Sequence, residues 1–118
     1  MKYTNFPQPR SAGVYYTLAN GRMPSQTVTN VEAACKLNLK NDDQVIHPFA
    51  FRVHTHELGS VVSGWKVSSD MKWTLLGKMD PQLPQMFYPV ADNTTTMRNG
   101  DRLATRCTMD NFKDHAVS

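Results

Sequence analysis

An all-β, antiparallel β-sandwich is the fold this sequence predicts. Three observations point to it. Short runs rich in Val, Thr, Tyr and Trp recur along the chain, and clusters of Gly, Pro, Asn, Asp and Ser separate them. No stretch carries the 3.6-residue apolar period of an amphipathic helix.

The elements follow in order. Residues 1–10 form an extended N-terminal segment with Pro7-Gln8-Pro9 as a turn. Val14-Tyr15-Tyr16-Thr17-Leu18 is a run of strand formers and predicts the first strand. Residues 28–39 alternate imperfectly, as one strand or a pair, and Asn41-Asp42-Asp43 turns the chain. Residues 45–55 predict a strand region that Pro48 interrupts, as at an edge or a bulge. Residues 61–67 and 72–76 flank Ser68-Ser69-Asp70-Met71 as a hairpin, with Trp65 and Trp73 expected in the core across it. Asp80-Pro81-Gln82-Leu83-Pro84-Gln85 is a proline-stiffened connection. Asn99-Gly100-Asp101 then turns the chain into a last strand over residues 102–108.

Composition narrows the function classes. A chain of 118 residues supports one domain, and 40% hydrophobic with 19% charged residues is an ordinary globular balance. The formal charge is +3, but the 13 basic residues are scattered and not interleaved with aromatics, which excludes nucleic-acid binding as the main role. No apolar run is long enough to span a bilayer. The first residues lack the apolar core of a signal peptide. Cys35 and Cys107 fit buried thiols, one disulfide, or halves of two disulfides with partners elsewhere. Asn93-Thr94-Thr95 is a glycosylation sequon and hints at a secreted setting.

Chemistry concentrates in Phe51-Arg52-Val53-His54-Thr55-His56. On a strand, alternate side chains share a face, so Arg52, His54 and His56 project together while Phe51 and Val53 point inward. The two histidine Cα atoms then stand about 6.6 Å apart, close enough for both rings to lean onto one metal ion. Arg52 sets a permanent cation beside that position, which suits an anionic substrate. On spacing alone zinc is the first metal to consider, and a pair that binds nothing is the plain alternative. Ser60 stands where a zinc-protease motif needs its second histidine, and no cupin-like glutamate follows. His47 has the opposite parity, His115 lies near the end, and Glu57 points away from His56.

Four ordered blocks add a resemblance: His54-Thr55-His56-Glu57-Leu58-Gly59, Val61-Val62-Ser63-Gly64-Trp65, Pro81-Gln82-Leu83-Pro84-Gln85 and Phe87-Tyr88-Pro89-Val90. They resemble the peptidylglycine α-hydroxylating branch of the copper type II, ascorbate-dependent monooxygenases. Dopamine β-hydroxylase shares the His-Thr-His but not the last two blocks. The likeness runs from about Pro7 to the C-terminus, and implies that residues 11–118 are an incomplete, jelly-roll-like part of the second of two copper-binding β-sandwich subdomains. It implies hydroxylation of the Cα of a C-terminal glycine in a peptide, with copper, molecular oxygen, and ascorbate as reductant. It implies His54 and His56 as copper ligands, and Arg52 as the grip on the peptide carboxylate. Leu18 falls where the family lines its substrate pocket.

Neutral imidazoles suit a metal that cycles between Cu(I) and Cu(II). The family's third ligand is a methionine beyond the position of Ser118, which none of the seven methionines here matches. The other copper belongs to a first subdomain that this chain lacks. Both cysteines match residues whose disulfide partners also lie outside it, so Cys35 and Cys107 are not expected to pair with each other. The resemblance places the parent enzyme in the secretory lumen or outside the cell, and implies that this chain alone is inactive. A non-catalytic β-sandwich fragment and a zinc module built on His54, His56 and a distant histidine are the competing readings.

Overall fold

The computed structural model describes residues 2–118. The strands are β1 (Thr27–Lys36), β2 (Val45–Ile46), β3 (Ala50–Phe51), β4 (Gly59–Val67), β5 (Trp73–Met79), β6 (Tyr88–Pro89), β7 (Met97–Arg98) and β8 (Arg102–Asn111). Four of them form one antiparallel sheet in the order β1-β8-β4-β5. The remaining four make two short ribbons, β2–β7 and β3–β6. The fold is all-β and sandwich-like, and the sheet does not close into a barrel.

The ribbons and their loops form the second layer. Leu76 from β5 and Leu103 from β8 pack with Leu37, Leu39, Ile46 and Met97, which join the sheet to the β2–β7 ribbon. Phe51 brings in the other ribbon by lying across Gly77 of β5, where a Cβ would stand only 2.4 Å from the ring. The shortest dimension of the molecule, 22 Å, is what two stacked layers give.

The β4–β5 hairpin and β8 form where the turn chemistry and alternation predict them. Ser68 N–H donates to Lys72 O at 3.0 Å and Met71 N–H to Ser68 O at 2.9 Å, with Met71 at a φ of 65°. The Asp70 carboxylate accepts from the Ser68 hydroxyl, and this bond holds its pKa below the ordinary aspartate range. Gly100, at a φ of 95°, turns the chain into β8. Beside it Asp101 is buried, accepts from Arg98 N–H and pairs with Lys66 Nζ at 3.4 Å.

Three expectations need correction. Residues 14–18 form no strand, and Val14, Tyr16 and Leu18 are exposed, Leu18 to 89%. Strand propensity expresses fit to a pleated, half-buried surface, and no sheet edge pairs with this run. The region 45–55 breaks at Pro48 as expected, into β2 and β3, but strand ends at Phe51 and residues 52–55 belong to none. Trp65 and Trp73 do approach across the hairpin, with ring centroids 6.3 Å apart. They sit on the uncovered face of the sheet, however, and Trp73 is 55% exposed.

That uncovered face carries cross-strand polar pairs. Arg106 Nε reaches Glu32 Oε1 at 2.6 Å, and Thr108 Oγ1 donates to Asn30 Oδ1 at 2.9 Å. The Arg106–Glu32 pair is exposed on both sides, so it contributes little to stability.

The cysteines are both free, as expected. Cys107 is opposite Val31 and Cys35 opposite Leu103, four residues further along the ladder. That offset is about 13 Å, far beyond disulfide reach. Cys35 is exposed, whereas Cys107 is half-buried and its thiol pKa is pushed up by that burial. Alkylation of native protein followed by mass mapping should therefore modify Cys35 first. Labelling of Cys107 should rise only at higher pH, because its thiolate forms later. An unlabelled pair would overturn the assignment of two free thiols.

Candidate metal centre

Beyond Phe51 the chain leaves the β3–β6 ladder but keeps its alternation. Arg52, His54 and His56 are exposed, while Phe51, Val53 and Thr55 are half-buried. The three candidate residues therefore share a side as parity predicts, although residues 52–56 belong to no strand. Phe51 and Val53 are half-buried, less deeply than expected.

The imidazoles of His54 and His56 lie with ring centroids 5.6 Å apart and planes at 84°. Two rings binding one ion through nitrogen, at metal–nitrogen bonds near 2.0 Å, place their centroids at most about 6.4 Å apart. The observed separation is inside that limit, so two nitrogen donors can converge on one metal. Among the described residues no group of three or more His, Cys, Asp or Glu side chains gathers. His47 is exposed elsewhere, and His115 Nδ1 contacts its neighbour Asp114 at 2.9 Å. Among the described residues no further histidine joins the pair, as the zinc reading would need.

The neighbouring chain holds this segment in place. Gly59 N–H donates to His56 O at 3.1 Å, closing a turn whose Leu58 is buried. Leu58 O accepts from Asp110 N–H at 2.7 Å, which ties the turn to β8. Glu57 points away from the pair and binds Lys113, whose ammonium holds the carboxylate below its ordinary pKa by hydrogen bonding and charge. The linker after β5 supplies two glutamines: Gln82 to the backbone of His56 and Gly59, and Gln85 to the side chains of Arg52 and His54. Sequence reasoning missed both glutamines. The only signal was the two prolines of Pro81-Gln82-Leu83-Pro84-Gln85, which stiffen the stretch that presents them. Leu18, on the unpaired N-terminal segment, remains solvent-exposed.

A profile described as the copper type II ascorbate-dependent monooxygenase C-terminal domain matches residues 10–118. The chain belongs to this family. It is 46% identical over 109 residues to the peptidyl-glycine alpha-amidating monooxygenase B of Xenopus laevis, covering 91% of this chain and 12% of that protein. It is 42% identical over 106 residues to the peptidylglycine alpha-amidating monooxygenase of Rattus norvegicus, covering 88% of this chain and 10% of the relative. The chain thus spans about a tenth of the length of these monooxygenases. Among the described residues no helix is long and apolar enough to cross a membrane.

Copper is the metal this family's name implies, and the donor set suits it. Two neutral imidazoles tolerate both oxidation states, and Cu(II) accepts water at its remaining positions.

Proposed function

We propose that this chain contributes to a copper- and ascorbate-dependent monooxygenase that hydroxylates the Cα of the C-terminal glycine of a peptide, the first step of peptide amidation. The convergence of Arg52, His54 and His56 on one side of an anchored segment carries this reading. When bound, copper would supply the redox chemistry that activates molecular oxygen, with ascorbate as the source of electrons. The protein supplies position. His54 and His56 hold the metal. Arg52 takes the peptide carboxylate by a charge-assisted, two-pronged bond, which sets the adjacent glycine beside the metal. Phe51, seated on Gly77, fixes the start of the segment.

Two imidazoles are an incomplete donor set, so the 118-residue chain by itself should bind copper without turning over peptide. The first copper subdomain would have to come from elsewhere in the parent enzyme. We propose the secretory lumen or the extracellular space as its setting, a reading supported by the sequon whose Asn93 is exposed.

The test is a copper titration of wild type against the His54→Ala, His56→Ala double variant. Wild type should take up Cu(II) with a nitrogen-ligand signature in electron paramagnetic resonance, and the double variant should not. Equal uptake would refute the site. Arg52→Ala should keep copper uptake but weaken binding of a glycine-extended peptide by about 10- to 100-fold, the usual value of a charged hydrogen-bond pair. Unchanged peptide affinity in that variant would remove Arg52 from substrate recognition.

A further inference from the structure

The two glutamines of the proline-stiffened linker act on different parts of the histidine segment. Gln82 Nε2 donates to the carbonyls of His56 and Gly59 at 3.1 and 3.0 Å, and so holds backbone. Gln85 holds side chains. Its Oε1 lies 2.8 Å from His54 Nδ1 and a longer 3.4 Å from Arg52 Nη2.

The oxygen and nitrogen of an amide have nearly the same shape, so chemistry must decide which one faces the histidine. Arg52 decides it. A guanidinium carries only donors, so the glutamine atom beside it must be the acceptor oxygen. The same atom faces His54 Nδ1, and a carbonyl oxygen cannot donate. Nδ1 must therefore hold the proton. A neutral imidazole has one N–H, so Nε2 keeps its lone pair.

We propose that Gln85 is the positioning residue of this metal site: it locks His54 in the Nδ1–H tautomer and thereby commits Nε2 as the atom that meets the metal. The inference rests on reading His54 as a ligand. A ligand histidine that donates its second N–H to an oxygen is fixed in orientation and made more basic, both of which strengthen metal binding. The second lone pair of Oε1 steadies one nitrogen of Arg52 and leaves the other guanidinium donors free for a carboxylate. One amide thus sets the spacing between substrate grip and metal ligand.

The local backbone supports this role. Gln85 is the central residue of a three-residue turn closed by Met86 N–H donating to Pro84 O at 2.9 Å. The same carbonyl accepts from the Tyr88 hydroxyl at 2.8 Å, so the side chain leaves from a braced position. The ring of His56 makes no hydrogen bond among the described residues, which makes it an internal reference.

Long-range proton–nitrogen NMR on the metal-free full chain, at a pH where both imidazoles are neutral, reads the tautomers directly. Wild-type His54 should be in the Nδ1–H form. In Gln85→Leu its tautomer ratio should move toward Nε2–H by about 2- to 12-fold, the worth of one ordinary hydrogen bond. The His56 ratio should stay where it was. Gln85→Glu retains an acceptor and should retain the Nδ1–H form, a rescue that a merely structural role would not produce. Copper affinity should fall about 10- to 100-fold in Gln85→Leu, the usual cost of losing such an outer partner.

An Nε2–H His54 in wild type, or an unchanged ratio in Gln85→Leu, would overturn the proposal. Equal copper affinity of Gln85→Leu and wild type would overturn its role in metal binding. A wild-type chain that takes up no copper, yet shows the tautomer shift, would overturn the ligand assignment while supporting the lock.

Discussion

Gly59→Val is expected to cost about 3 kcal/mol, the upper end of what overpacking a filled site does, and to displace His54 and His56. A Cβ at position 59 would stand 1.9 Å from Thr55 Oγ1, 2.5 Å from Thr55 Cβ and 2.8 Å from Thr55 Cγ2. Rotating the threonine relieves the contacts with its outer atoms but not the one with its Cβ, so backbone must move. Thr55 lies between His54 and His56, and the turn closed by Gly59 N–H at His56 O would open with it. Thermal unfolding and copper titration of the same variant check both halves. A Gly59→Val chain with wild-type Tm and wild-type copper affinity would show that this close approach positions nothing.

Asn111 is the second large effect. Its side chain is fully buried, with a relative exposure of 0%. Nδ2 faces three carbonyls, those of Met23 at 3.1 Å, Pro24 at 2.9 Å and His115 at 3.0 Å, while Oδ1 accepts from Lys113 N–H at 3.1 Å. The nitrogen has two hydrogens for three acceptors, so one hydrogen is shared. This amide ties the end of β8 to the segment before β1 and to the C-terminal tail. Asn111→Leu, of similar size, would strand those partners and should cost about 3 kcal/mol, since each buried unpaired group costs about 1–3 kcal/mol.

Asn111→Asp gives a sharper reading because it keeps the shape of the side chain and replaces its donor with an ionisable acceptor. Its carboxylate would face three carbonyl oxygens, which raises the folded-state pKa above the unfolded value. The damage should therefore be least below the ordinary aspartate range and grow as pH rises through the folded pKa. A loss of Tm that did not depend on pH would refute that account of the amide.

The parts of the fold that could be read from sequence are those set by neighbours in sequence. The β4–β5 hairpin follows from alternation on both sides of Ser68-Ser69-Asp70-Met71, and β8 from the glycine turn before it. Residues 14–18 have the same composition as a strand and are not one, because pairing depends on a partner edge that no local pattern encodes. The exposure of Trp73 could not be read either, since whether its face of the sheet is covered is not a property of the hairpin. At the site, the parity of Arg52, His54 and His56 was visible because alternation survives outside a ladder. Gln85 was not, because it reaches His54 from 31 residues away, and only the return of the chain beside β3 brings them together.

The histidine segment is held chiefly by side chains and one turn, and that has a consequence for its motions. Among the described residues, no backbone N–H from Val53 to His56 donates a hydrogen bond, whereas β4 pairs with β8 continuously from Val61 to Val67. Amide exchange should therefore be fast over these four residues and slow along β4 and β8, on separate free-energy scales. The pair can loosen and re-form while the sheet stays folded, so metal can enter or leave through a local fluctuation. Bound metal should then slow exchange at residues 53–56 far more than it raises the global melting temperature.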